Sequence, residues 1–362
     1  MTRIGGHTGR QEERPGARRD ELGRRGFVRG AAGAVATGAL LAGAGAAPAV
    51  GVPAEGRRIR VVAEERVDER LLRLTVDSPA LGGTEAVELL VPTDWDRRGP
   101  DAGWPTLYLL PGGDGEPTIW TEQHRVQDLD EFRQVLVVMT AMPLFGFHTD
   151  WWNGGAGGPP AVETFHVHEL IPLLERAYGA GRRRAVGGDS QGGYGALGYA
   201  ARHPGLFRAV ASYSGPLHPL AHPEVWLGGA RLFGIDGTAI WGDPVAQRAN
   251  WRAHDPYFLA DRLGGTPVYI SAGDGTMGML DDPDREDDPV IPGTEEVAES
   301  FPDNVVSLTE GVIGRESRAT AERLIAAGTP VTAHFYPGTH TGTYGWRELR
   351  LSMPLLLGAL LG

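Results

Sequence analysis

The chain has 362 residues, 41% of them hydrophobic, no cysteine, and a formal charge of −12. That length suits one large α/β domain behind a leader, and without cysteine there is no disulfide framework. An acidic surface repels phosphate backbones, which excludes nucleic acid as the natural partner.

The first 49 residues read as a leader. Residues 1–23 are polar and rich in Arg and Glu, and Arg24-Arg25-Gly26-Phe27 follows, then the Ala/Gly-rich run AAGAVATGALLAGAGAAPAV. A basic stretch, a short apolar run and a small-residue end at Ala47-Pro48-Ala49 make a secretory signal, and the paired arginines resemble a twin-arginine signal. The run is too weakly apolar for a good membrane span, so no stable insertion is expected after cleavage. No cysteine is present to carry a lipid anchor. Residues 1–49 hold eight arginines against four acids, leaving −16 on residues 50–362, which read as one domain.

Three strands joined by polar turns are expected first, in RRIRVVAEE, RLLRLTVDS and EAVELLVPT, as an antiparallel lead-in. The pattern then changes to short continuous apolar runs, PTLYLLPGG and RQVLVVMTAM, which suit strands buried on both faces. VETFHVHELIPLLERAYG has helical spacing and a glycine stop. Strand RRAVGGD and helix SQGGYGALGYAARHP follow, then strands FRAVASYSG and TPVYISAGD. Helix GRESRATAERLIAAG, strand PVTAHFYPG and helix GWRELRLSMPLLLGALL close the chain. This alternation predicts an α/β fold with a mostly parallel central sheet, antiparallel N-terminal strands and helices on both faces. The acidic, Pro-rich stretch 273–303 interrupts the pattern and reads as a solvated insertion; its carboxylates do not follow an EF-hand spacing.

Gly188-Asp189-Ser190-Gln191-Gly192 is a G-x-S-x-G element between a strand and a helix, the context of a nucleophile elbow. Alone the pattern is cheap in a chain with 54 glycines, and a serine helix cap would also fit. A cap, however, needs no glycine on both sides. A serine nucleophile needs a histidine base and an acid that orients it, here in the order serine, acid, histidine. His203 sits at a helix end and His334 in mid-strand. His340 lies in the Gly/Thr-rich loop YPGTHTGTYGW before the last helix, where it is free to face the nucleophile. Asp274, directly after a strand, and Glu310, thirty residues before His340, are both candidate acids. The oxyanion needs two backbone N–H donors. Gln191 supplies one and Gly113, with Gly112 as fallback, the other. His166 and His168, two apart on a helix, make a poor metal pair, and neither metal nor cofactor is called for.

At these residues the sequence resembles the esterase-D-like branch of the α/β-hydrolases, and within it the secreted mycobacterial mycolyltransferases of the antigen 85 type. LYLLPGGDG resembles that family's oxyanion strand and loop, FHTDWWN its Phe-Tyr-Thr-Asp-Trp segment, and AVGGDSQGGYGAL its elbow. TEGVIGRES and PGTHTGTYGW resemble the segments bearing its glutamate and histidine. The resemblance implies an α/β-hydrolase fold with Ser190 as nucleophile, His340 as base and Glu310 rather than Asp274 as acid. In many other relatives of the fold an aspartate at the Asp274 position is the acid. The matching Asp150 and Trp151 are implied to line the substrate pocket, a packed hydrogen-bonded loop being the alternative. The family's trehalose-holding Asp and Arg correspond to Pro111 and Asp114 here, and the tryptophan two residues after its histidine is Gly342.

The expectation is therefore a secreted, monomeric serine esterase acting on small-molecule, lipid or sugar esters. One alternative is an acyltransferase that passes the acyl group to a sugar or lipid alcohol. Another is a non-catalytic, carbohydrate- or matrix-binding member. Such members lack parts of the triad, whereas here every part has a candidate.

Overall fold

The computed structural model describes residues 58–97, 99, 103–285 and 288–362. The expected leader, residues 1–49, lies outside the described residues. All nine expected strands form. They are β1 (Arg60–Arg66), β2 (Leu71–Ser78), β3 (Gly83–Leu90), β4 (Trp104–Leu110), β5 (Leu136–Thr140), β6 (Ala180–Asp189), β7 (Val210–Tyr213), β8 (Val268–Gly273) and β9 (Val331–Tyr336). They make one sheet in the order β1-β2-β3-β5-β4-β6-β7-β8-β9. β1, β2, β3 and β5 pair antiparallel, and every pairing from β5–β4 to β8–β9 is parallel.

The continuous apolar runs of β4 and β5 are explained by burial on two faces. Leu107 and Leu109 of β4, with Val137 and Met139 of β5, pack with Leu349, Met353, Leu356 and Leu360 of the C-terminal helix Gly342–Leu361. The alternate residues, Tyr108, Leu110, Leu136 and Val138, pack on the other face with Leu170, Leu174, Leu197 and Leu324. The chain leaves β4 for β5 on one side and returns to β6 on the other. The carboxyl ends of β4 and β6 thus flank a crevice where the strand order reverses, the usual place for a ligand site in an open α/β sheet.

Three details depart from the sequence expectation. The helix expected over 162–179 is a π-helix at Thr164–Leu170 that tightens to an α-helix at Ile171–Ala177. The helix expected from Gly314 starts at Leu308 and runs to Ala326. The acidic stretch 273–303 is not simply solvated. It buries Ile291 and Val297 and forms a short helix, Glu295–Glu299. Asp281 accepts hydrogen bonds from Gly278 N, Tyr344 Oη and Thr339 Oγ1, and Asp288 accepts one from Ser307 Oγ. Carboxylates that read as a solvated run are in part anchors that tie this loop to the segment carrying His340. Among the described residues, no helix is long and apolar enough to cross a membrane.

Candidate active site

β6 ends at Asp189, and the helix Gln191–Arg202 begins one residue after Ser190. Ser190 has φ 54° and ψ −122°, a conformation a side-chain-bearing residue adopts only when its surroundings enforce it. Ser190 N donates to Tyr213 O at 2.8 Å, and Ser190 O accepts from Gly193 N at 2.9 Å. The flanking glycines have a steric reason. A Cβ on Gly188 would collide with the Gly192 backbone, and one on Gly192 with the Leu110 carbonyl. The turn therefore closes only with glycine at both positions, and the serine is forced outward.

His340 lies in the loop between β9 and the C-terminal helix. Its Nε2 is 3.0 Å from Ser190 Oγ, and its Nδ1 is 2.5 Å from Glu310 Oε2. Glu310 is fully buried. Its other oxygen accepts from Ser214 Oγ at 2.7 Å and from Gly273 N at 2.6 Å. Ser307-Leu308-Thr309-Glu310 has the Ser-x-x-Glu pattern of a capping box, and Ser307 does cap the helix start. The glutamate, however, turns its carboxylate to His340, Ser214 and Gly273. Its place in the first turn also suits a carboxylate, because the helix dipole is positive there.

The structure brings Glu310 to His340 and engages Asp274 in a local turn. Asp274 Oδ1 accepts from Thr276 N at 2.9 Å and Thr276 Oγ1 at 2.7 Å, closing that turn. Other histidines after Ser190 are engaged elsewhere: His203 with Glu163, His218 with Asp255, His254 with Asn250 O, and His334 with Glu348. Burial of His340 opposes its charged form, but the Glu310 hydrogen bond and the charges of Glu310, Asp189 and Asp288 outweigh it, raising the pKa to about 9.

Gln191 is the first residue of its helix, so its N–H has no acceptor within the helix. Its buried side chain reaches the facing loop: Oε1 accepts from Phe147 N at 3.1 Å, and a Cβ on Gly113 would lie 2.8 Å from Nε2. The fallback Gly112 also borders the serine, its Cβ position lying 3.5 Å from Ser190 Cβ. Gly113 O is taken by Phe145 N at 2.7 Å. The two expected oxyanion elements therefore face each other beside Ser190.

Asp150 and Trp151 are both tied into the fold by hydrogen bonds. Both Asp150 oxygens are spent on Thr164, accepting from N at 2.9 Å and Oγ1 at 2.6 Å, which fastens the start of the π-helix. Trp151 Nε1 donates to Gly146 O at 3.1 Å. These bonds are those of the packed, hydrogen-bonded loop.

Sequence reasoning missed three residues around the site. Ser214, at φ 47° just past β7, holds Glu310. His148 is wholly buried, and its Nε2 pins Pro111 O at 2.9 Å, steadying the loop that carries Gly112 and Gly113. Burial beside His166 lowers the His148 pKa to about 3 and keeps the ring neutral, so this nitrogen donates. Asp189 precedes the serine, its side chain 13% exposed, with Oδ2 3.8 Å from His124 Nε2. A polar residue directly after a buried strand was the available signal for Ser214.

Strand order, elbow and crevice are those of an α/β-hydrolase. The family model described as "Putative esterase" matches residues 78–353, and the chain belongs to that family. Esterase Rv1288 of Mycobacterium tuberculosis is 28% identical over 297 residues, 79% of this chain and 59% of that protein. The MPT51/MPB51 antigen of Mycobacterium bovis is 30% identical over 206 residues, 54% of this chain and 64% of that protein. The chain thus spans about three-fifths of the length of these curated relatives. Among solved structures, Mycobacterium tuberculosis MPT51 matches with a TM-score of 0.59 at 24% identity, covering 79% of this chain and 97% of that one.

Proposed function

We propose that the chain is a serine carboxylic ester hydrolase working through an acyl-enzyme. The observation that carries the reading is the single His340 ring within hydrogen-bonding distance of both Ser190 Oγ and Glu310 Oε2, at a strained elbow. Ser190 Oγ attacks the acyl carbonyl while His340 Nε2 takes its proton. Glu310 holds Nδ1–H and stabilises the imidazolium that forms. The N–H groups of Gln191 and Gly113 receive the oxyanion. His340 then passes the proton to the leaving alcohol, and water, activated by the same ring, releases the acid.

Hydrolysis is favoured over acyl transfer because Ser190 and His340 are both partly exposed. Water therefore reaches the acyl-enzyme, whereas transfer to an alcohol requires that water be kept out. The substrates are small-molecule, lipid or sugar esters. The protein acts as a monomer, outside the cell, after export through the twin-arginine route. The Arg24-Arg25 leader and the cysteine-free chain support that location.

The test is hydrolysis of p-nitrophenyl esters of graded chain length by the purified protein and by Ser190→Ala, with and without glycerol or trehalose as acceptor. Loss of the serine should cost on the order of 10⁴-fold or more. Activity that survives Ser190→Ala sinks the reading, and acyl-glycerol or acyl-trehalose as the main product would favour the transferase.

A further inference from the structure

Gln191 and Gly113 are joined by a third segment, the loop 143–148 after β5. Phe145, Phe147 and His148 all have left-handed backbone there, with φ 56°, 52° and 45°. Side-chain-bearing residues hold such values only where the surroundings over-determine them. The Phe147 ring is fully buried, edge-on to Trp241 and Tyr194 at 4.7 and 5.5 Å between centroids. The elbow helix lies directly on the loop, since a Cβ on Gly195 would fall 2.5 Å from His148 Cβ. Gln191 and Gly195 are four residues apart in that helix, so both face the loop.

The loop spends its polar groups on the two oxyanion elements. Phe145 N donates to Gly113 O at 2.7 Å, and His148 Nε2 to Pro111 O at 2.9 Å. These carbonyls belong to the peptides on either side of the one that carries the Gly113 N–H. That middle peptide is held by its own carbonyl, Gly112 O, which accepts from Gly115 N at 3.1 Å. In a planar trans peptide the N–H points opposite to the carbonyl, so the Gly113 N–H is aimed away from this turn. Phe147 N, finally, donates to Gln191 Oε1 at 3.1 Å in a buried bond. With Oε1 so engaged, Nε2 is turned to Gly113, 2.8 Å from the position a Cβ would take there. Any side chain at 113 would displace the carboxamide.

We infer that the Gln191 side chain is a positioning residue for the oxyanion hole: fastened to the Phe147 N–H and laid against Gly113, its carboxamide fixes the spacing of the two N–H donors. The inference rests on the reading of the Gln191 and Gly113 N–H groups as those donors. One donor lies on the elbow helix and the other on the loop after β4, so their separation depends on what bridges these elements. Phe147, anchored by its buried ring, gives the bridge a rigid footing. Donors of this kind work by being set in advance for the charge that develops in the transition state. Loosening them therefore lowers kcat and leaves ground-state binding unchanged.

The experiment compares the purified full chain with Gln191→Met, which keeps the length of the side chain but offers Phe147 N no strong acceptor. With p-nitrophenyl acetate, kcat should fall by about 10–100-fold at unchanged KM. Benzeneboronic acid forms a tetrahedral adduct on Ser190 Oγ with an oxygen in the hole, and its affinity should weaken by the same factor. A side chain that only packs would lower the denaturant midpoint and leave kcat and boronate affinity of the folded molecules unmoved. The unsubstituted protein supplies a readout that does not depend on the variant folding: the Phe147 amide, although in a loop, should exchange its hydrogen slowly. Unchanged kcat and boronate affinity in folded Gln191→Met overturn the inference, as does a rise in KM alone or rapid exchange at Phe147. Ser190→Ala in the same assay separates the two readings. If it is inert while Gln191→Met is fully active, only the role of the Gln191 side chain falls; if it is active, both fall.

Discussion

Gly192 lies against the carbonyl of Leu110, so close that a methyl group on its Cα would overlap the oxygen. This contact joins the elbow helix to the end of β4, and it sets the height of Ser190 above the sheet. Gly192→Ala must push the two apart. Overpacking of this kind costs about 1–3 kcal/mol, read as a drop in the denaturant midpoint. A displacement near 1 Å at the reacting atoms costs about 100-fold in rate, so folded protein should lose ester hydrolysis to at least that extent. A variant with unaltered kinetics would mean the elbow relaxes freely and its strain is not functional.

The acid is separated from its rival by a pair of isosteric substitutions. Glu310→Gln removes the charge that faces His340 Nδ1. It should lower kcat by about 10³–10⁴-fold, the scale of an orienting acid in such a triad. Asp274→Asn disturbs only a turn closed on Thr276, and its kcat should stay within about threefold of the parent, since surface changes of that kind cost little. Equal effects in steady-state assays of the two variants would break the assignment.

Much of this site is written locally. Ser190 and His340 are legible because each stands in a short context that a strand end imposes: glycines forced by backbone contact around the serine, and a small-residue loop before a helix around the histidine. The acid is harder to read, because Glu310 and Asp274 both follow suitable elements. What separates them is where each carboxylate spends its hydrogen bonds, and that depends on Ser214 and Gly273, remote in sequence from Glu310. The buried strands follow from apolar runs, whereas the π-turn at Thr164–Leu170 has no periodic signature. The region between β7 and β8 carries helices of four to ten residues, Pro223–Leu232, Thr238–Trp241, Arg248–His254 and Pro256–Leu259. These are too short for periodicity to identify. Their tryptophans form a cluster with Phe147 and Tyr194 that only tertiary packing assembles.

Ser214 offers a finer test of how Glu310 is held. Its hydroxyl donates to the oxygen that does not face His340, and its N–H donates to Ser271 O at 2.8 Å. A hydrogen bond to a charged group contributes about 1.5–3 kcal/mol. Ser214→Ala should therefore reduce kcat by about tenfold or more while KM for a small neutral ester stays put. A rise in KM with unchanged kcat would place Ser214 in substrate contact instead.

The pH dependence has a definite direction. His340 titrates at about 9 in the folded protein, and the base must be neutral. Hence kcat/KM should rise with pH through neutrality and level off only above about pH 9. Stability runs the other way. A histidine whose folded pKa is raised contributes stability that is complete below its unfolded value, about 6.5, and fades as pH rises through about 9. Glu310→Gln removes the principal cause, so the residual activity should level off nearer to pH 7. A pH–rate profile that is already flat from pH 7 upward in the parent protein contradicts the coupling.

Beneath the elbow helix, Glu163 is buried; both its oxygens lie 2.9 Å from Arg202 Nε and share its one N–H, and Oε1 lies 2.7 Å from His203 Nε2. Burial opposes its charge, but Arg202 and His203 prevail and lower the pKa to about 2. A carboxylate depressed in this way contributes stability that is complete above its unfolded value, about 4.5, and is lost as pH falls towards about 2. Glu163→Gln leaves the buried Arg202 without its counter-charge, and breaking a buried pair from one side costs about 3–5 kcal/mol. Denaturant unfolding of both proteins from pH 7 to pH 2 checks this. The gap in unfolding free energy should be widest at neutral pH and narrow below about pH 4.5 as the parent's carboxylate protonates. A gap that stays constant down to pH 2 would mean that the charge of Glu163 does not support the helix behind the elbow.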